Sequence, residues 1–163
     1  MSYHETLGAI GWLAFALLAA WLATWLMPDE WYSKLSKPGW NPPDKLYVPV
    51  WIVTYALMGA AAWLIWKSGG VMGMLLPLGL FAVQLVLQVA WSWLLFGRHR
   101  IDLALIDIVA VWVLLLATLV LFWGVLPLTG ILLIPSLAWV SFAAALTGAI
   151  WHKNRNFSKS VVE

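Results

Sequence analysis

Residues Asp29–Trp51 read DEWYSKLSKPGWNPPDKLYVPVW, and the chain on either side is close to continuous hydrocarbon. This stretch holds six of the sixteen Asp, Glu, Lys and Arg residues and four of the eight prolines. No membrane helix can form here. Pro38, Pro42, Pro43 and Pro49 remove backbone donors and push their predecessors out of the α region. Asn41-Pro42-Pro43 favours extended polyproline geometry. Yet Trp31, Tyr32, Leu35, Trp40, Leu46 and Tyr47 are too apolar for a loop in free water. The expectation is a stiffened aromatic loop, residues 28–45, folded over one end of a helical bundle as a lid. The alternative is an interfacial anchor, with Trp and Tyr at headgroup level.

Working outward, the chain is 64% hydrophobic and 10% charged, against about 25% charged in soluble domains. It could not cover a soluble surface. Residues 1–163 read as one all-α integral membrane domain. With no cysteine, disulfides and thiol chemistry are excluded. A formal charge of +2 gives no ground for nucleic-acid binding. The first apolar run is about 20 residues long without a basic leader, so it reads as a retained span.

Five segments are long enough to cross a bilayer: 6–27, 46–67, 72–96, 101–124 and 130–151. Pro77 and Pro135 are expected near helix starts, where a missing donor matters least. The tail from His152 is expected to fray. Lys67 is alone on the N-terminal side. Lys34, Lys37, Lys45, Arg98, Arg100, Lys153, Arg155 and Lys159 lie on the other. That bias predicts a cytoplasmic membrane with the first loop and the C-terminus in the cytoplasm. Ala16 with Ala20, Ala19 with Ala23, Ala56 with Ala60 and Ala144 with Gly148 form small-x-x-x-small pairs. They suit packing within the bundle or, second, a homodimer seam.

Polar groups inside a membrane are functional candidates. Gln84, Gln88 and Trp91 share a face of the third span, as do Trp51, Tyr55, Gly59 and Ala62 of the second. Ser136, Trp139, Ala143 and Thr147 form a stripe on the fifth. Asp107 must be protonated, hydrated or paired, Arg98 and Arg100 being the nearest candidates. Counted from the loop end, Trp51, Gln88, Trp91, Asp107 and Thr147 fall about 7–12 Å deep and Trp139 about 18 Å. These positions describe an apolar pocket with a few polar groups under a lid. Trp25, Trp31, Trp63, Trp66, Trp93, Trp123 and Trp151 read as belt residues, and Trp112 as packing. Each polar position also has a plain reading, in which the glutamines only join helices. His4, His99 and His152 lack metal-site spacing, with axial haem ligation by His99 a minor option. No metal site, catalytic triad, phosphate loop or charge relay stands out.

The run WYSKLSKPGWNPP, then Trp51, Tyr55, Met58 and Gly59, resembles the first-loop and second-helix signature of the TspO/MBR family, of bacterial type. QLVLQVAWSWLLF is similar to its third helix, Asp107 to an acidic position of its fourth, and IPSLAWVSFAAAL to its fifth. The resemblance implies a five-helix bundle, often a homodimer, with the first loop over an internal pocket. It implies no required cofactor. Its ligands would be porphyrins such as protoporphyrin IX or a haem-like relative, or other flat hydrophobic molecules, including sterols in eukaryotes. Trp40, Asn41, Pro42 and Pro43 match the lid. Trp51 and Trp139 match two tryptophans linked in bacterial members to light-dependent porphyrin breakdown. Gln88, Ser136 and Thr147 depart from the usual Asn, Tyr and Asn. LTGAIWHK lacks the tyrosine of the sterol-recognition pattern. The resemblance also admits an outer-membrane location. The leading expectation is a porphyrin-binding translocator or sensor. The alternatives are a light-dependent porphyrin-degrading enzyme using Trp51 and Trp139, and a partner-binding regulatory protein.

Overall fold

A computed structural model describes residues 2–26 and 28–155. Met27 and Lys159, used above for a span end and for the charge bias, lie outside the described residues. Among the described residues, five helices are long and apolar enough to cross a membrane. α1 (Tyr3–Thr24) opens with a capping box, in which Ser2 and Glu5 satisfy each other's backbone N–H groups. The first loop carries a short helix, α2 (Glu30–Ser33), and a 3-10 turn, Asp44–Leu46. α3 (Tyr47–Gly73), α4 (Leu75–Ser92), α5 (Ile101–Val125) and α6 (Pro127–Asn154) follow. Gly70 has φ 66° and breaks the last turn of α3 from its body, which suits a residue without Cβ.

The spans close a ring. α1 packs on α3, α3 on α6, α6 on α5, α5 on α4, and α4 returns to α1. Small residues set the first of these seams. Ala16, Ala19, Ala20 and Ala23 are all buried. A Cβ added at Gly59 would stand 3.0 Å from the Ala16 Cβ and 3.2 Å from the Leu13 Cα. The alanine pairs of α1 therefore serve bundle packing, the first of the two roles expected of them.

Several boundaries differ from the sequence reading. α1 runs over Tyr3–Thr24 rather than 6–27, α3 continues to Gly73 rather than stopping at 67, and α4 starts at Leu75 rather than 72. α6 starts at Pro127 rather than near 130, because proline is well suited to the first helical turn. Leu126 alone then separates α5 from α6. Pro135 consequently lies inside α6, not at its start. At the other end α6 runs through His152 to Asn154, so this part of the tail is not frayed, because Asn154 has a partner in the first loop; residues 156–163 of that tail lie outside the described residues. After α4 the chain widens into a π turn, Trp93–Gly97, with the Arg98 N–H bonded to the Trp93 carbonyl at 2.8 Å. This turn delivers His99 at φ 55°.

Candidate functional site

The loop is fastened to the bundle by specific bonds. Asp29 caps α2 by accepting from the Tyr32 N–H at 2.9 Å, and its other oxygen lies 2.8 Å from His99 Nε2. Burial pushes the Asp29 carboxyl upward, but the Tyr32 N–H and His99 together hold it below the usual carboxylate range. Trp31 stacks on the His99 ring at 4.3 Å. His99 thus turns Nε2 toward the loop carboxylate. Tyr32 is buried edge-on against Phe96, with Lys37 over its ring at 4.6 Å. Burial raises the Tyr32 phenol above its ordinary range.

At the far end of the loop, Asn154 accepts from the Ser36 N–H at 3.1 Å and donates to the Ser36 carbonyl at 2.9 Å. Trp40 is half exposed and meets Phe142 edge-on at 5.6 Å. Asn41 donates to the Pro42 carbonyl at 3.2 Å, while its own Oδ1 is buried without a partner.

Beneath the loop lies a continuous aromatic layer. Trp51 stands 5.4 Å from Tyr55, 5.9 Å from Trp91 and 6.2 Å from Trp139. Trp139 stacks on Phe142 at 5.5 Å and meets Tyr47 at 5.8 Å. Trp139 thus joins Trp51 directly, although counting from helix ends put it deeper. The count assumed flush ends. Tyr47 is the first residue of α3, yet it sits beside Trp139, far from the end of α6. The last turns of α6 therefore run past the mouth of α3, and the loop packs along them through Phe142 and Asn154.

The predicted faces of α3 and α4 are buried as faces: Trp51, Tyr55, Gly59 and Ala62 on one, Gln84, Gln88 and Trp91 on the other. Gln88 donates to Gln84, and both amides approach the Met58 sulfur, at 3.8 and 3.6 Å. On α6 Ser136 is buried and donates across to the Thr54 carbonyl at 3.3 Å. Thr147 is buried but bonds its own helix, at the Ala143 carbonyl. Ala143 is buried against the same core. Asp107 is half-buried, with one carboxylate oxygen unpartnered. The arginine pairing expected for it does not form: Arg100 binds Asp102 through two bonds, and Arg98 lies over Trp93 at 5.3 Å. Trp112 packs as expected and donates to Ser141 at 2.8 Å.

Several buried polar atoms of this end have no partner: the Tyr47 and Tyr55 hydroxyls, Gln88 Oε1, and the indole N–H groups of Trp91 and Trp139. Each such atom costs about 1–3 kcal/mol relative to its hydrated state. A cavity of about 20 Å³ adjoins Trp51, between Ala20, Ala23, Pro28, Tyr47, Ser92 and Phe96. It has room for about one water molecule. Among the described residues, no three His, Cys, Asp or Glu side chains gather as a metal site. Sequence reasoning missed His99 and Asn154 as loop fasteners. Their polar character at span ends was the available signal.

Comparison with known proteins agrees with this architecture. The TspO/MBR family model matches residues 10–152. The translocator protein of Sus scrofa is 41% identical over 77% of this chain and 76% of its own length. The protein CrtK of Rhodobacter capsulatus is 36% identical over 91% and 93%. The tryptophan-rich protein TspO of Chlorobaculum tepidum is 39% identical over 78% and 82%. With five membrane-spanning helices and this match along nearly its whole length, the chain is an integral multi-pass membrane protein and belongs to the TspO/MBR family.

Proposed function

We propose that this protein is a membrane translocator or sensor that binds a porphyrin, such as protoporphyrin IX or a haem-like relative, in the aromatic layer beneath its first loop. The names of its relatives, translocator protein and tryptophan-rich sensory protein, support the coarse role. The observation that carries the finer one is the set of unpartnered polar atoms around Trp51 and Trp139. A flat ligand entering between these rings would stack on indole faces. Its ring nitrogens or bound water would meet the Tyr55 hydroxyl, Gln88 Oε1 and the two indole N–H groups. Its propionates would favour the loop end, where Lys34, Lys37 and Lys45 stand. The rings must separate to admit it, since the adjoining cavity has room for only about one water. No further cofactor is needed for binding.

A homodimer is the expected assembly. The buried alanine pairs of α1 are already used, so its seam would fall on exposed apolar faces such as the groove lined by Trp21, Trp25, Val89 and Trp93.

The test is a protoporphyrin IX titration in lipid nanodiscs, read by tryptophan quenching in darkness. The parent should saturate, and Trp51→Ala should weaken binding tenfold or more, about the 1.4 kcal/mol of one lost stacking partner. Equal affinity in parent and variant refutes the assignment. Subsequent illumination separates a second reading. The Trp51–Trp139 contact of 6.2 Å suits electron transfer through indoles. A photoproduct that requires Trp139, and fails with Trp139→Phe, would make the protein a porphyrin-degrading enzyme.

A further inference from the structure

The two loop fasteners differ chemically. The Ser36–Asn154 clasp is made of uncharged groups and is indifferent to pH. The Asp29–His99 contact joins a carboxylate to an imidazole and changes strength when the ring gains a proton. This second contact sits at a particular place. Pro28, next to Asp29, and Phe96, in the π turn that delivers His99, both line the small cavity beside Trp51. Parting Asp29 from His99 would free Pro28 and Phe96 to separate and open that cavity toward the loop surface.

We propose that Asp29, His99 and Trp31 form a proton-sensitive latch on the access route to the aromatic layer, closed when His99 is charged and loosened when it is neutral. The proposal rests on the reading of that layer as the binding site. The other charges of this corner do not replace the latch. Arg100 is paired with Asp102, Lys34 with Glu30, and Arg98 lies over Trp93. Asp29 and Trp31 face His99 from the loop, and Tyr32 packs below them on Phe96. Charged imidazole makes an ion pair with Asp29 and a cation stacked on an indole. Neutral imidazole leaves one ordinary hydrogen bond. Loss of the proton therefore weakens closure, so that raising the pH loosens the latch.

The chain has no cysteine, so a single reporter can be placed at will. Ala23→Cys puts a thiol in the cavity wall, and Gly39→Cys supplies an exposed control. The measurement is the rate of labelling by a water-soluble maleimide at Ala23→Cys, divided by the control rate, in nanodiscs between about pH 5.5 and 8. The parent ratio should rise about two- to fivefold, the range expected of a half-exposed ion pair. His99→Gln should be fast and flat. His99→Arg, charged throughout, should be slow and flat. Asp29→Asn retains a capping oxygen and should be flat like His99→Gln, which covers a folding defect in either single variant. Identical pH profiles in parent and His99→Gln, or an open His99→Arg, overturn the latch. Porphyrin binding is measured on the same samples. The predicted labelling without porphyrin binding keeps the latch and refutes the binding reading. Saturable porphyrin binding with flat labelling does the reverse.

Discussion

At the end of the bundle where α1 begins and α3 finishes, polar atoms find partners. Glu5 pairs with Lys67 at 3.1 Å, and its carbonyl accepts from the Trp63 indole at 3.0 Å. Trp66 lies against Gly8, so closely that a Cβ there would collide with its ring. At the loop end, two tyrosine hydroxyls, two indoles and a glutamine oxygen are buried without partners. The same chain thus satisfies one end and leaves the other unsatisfied. A buried polar group without a protein partner calls for water, an ion or a ligand, and the binding site proposed above would supply one such partner. The orientation predicted from the Lys and Arg bias, with the first loop in the cytoplasm, is checked by labelling of Gly39→Cys in intact cells.

The contrast can be broken or sharpened by substitution. The largest effect belongs to the satisfied region. Gly59→Val would drive a side chain into the α1 backbone and cost about 1–3 kcal/mol. The unfolding midpoint in detergent should fall, with porphyrin affinity of the folded fraction little changed. Next comes the loop clasp. Asn154→Ala removes both bonds to Ser36 and should cost about 1–2 kcal/mol. Limited proteolysis should then cut the loop near Gly39 sooner. Tyr55→Phe acts in the opposite direction. Deleting a buried, unpartnered hydroxyl should stabilise the ligand-free protein by about 1 kcal/mol. Lys67→Met should have the smallest effect, since the pair with Glu5 is about one-third exposed. The difference in a melt should shrink further as salt is raised.

Much of the architecture was legible because membrane spans announce themselves by length and by the polar breaks between them. The faces Trp51–Tyr55 and Gln84–Gln88–Trp91 were legible because helical spacing alone puts them together. What escaped notice depended on contacts distant in sequence. Asn154 reaches Ser36 across 118 residues, and His99 reaches Asp29 across 70. Neither pairing leaves a local pattern. The π turn at Trp93–Gly97 was hidden because its residues continue the apolar run. Pro127 was read as a loop residue because proline marks both turns and first helical turns. That choice misplaced Pro135. Trp139 was put too deep because sequence counting cannot show that α6 outruns α3.

The central claim is that the loop end keeps polar atoms unpaired for a ligand. The most direct test is the porphyrin-induced shift in unfolding midpoint, measured in nanodiscs for the parent and for Tyr55→Phe. A higher baseline with a smaller shift in Tyr55→Phe would mean that the hydroxyl is a liability when empty and an asset when bound, as predicted here. A shift equal to the parent's would mean that the hydroxyl has no part in binding and would contradict the account.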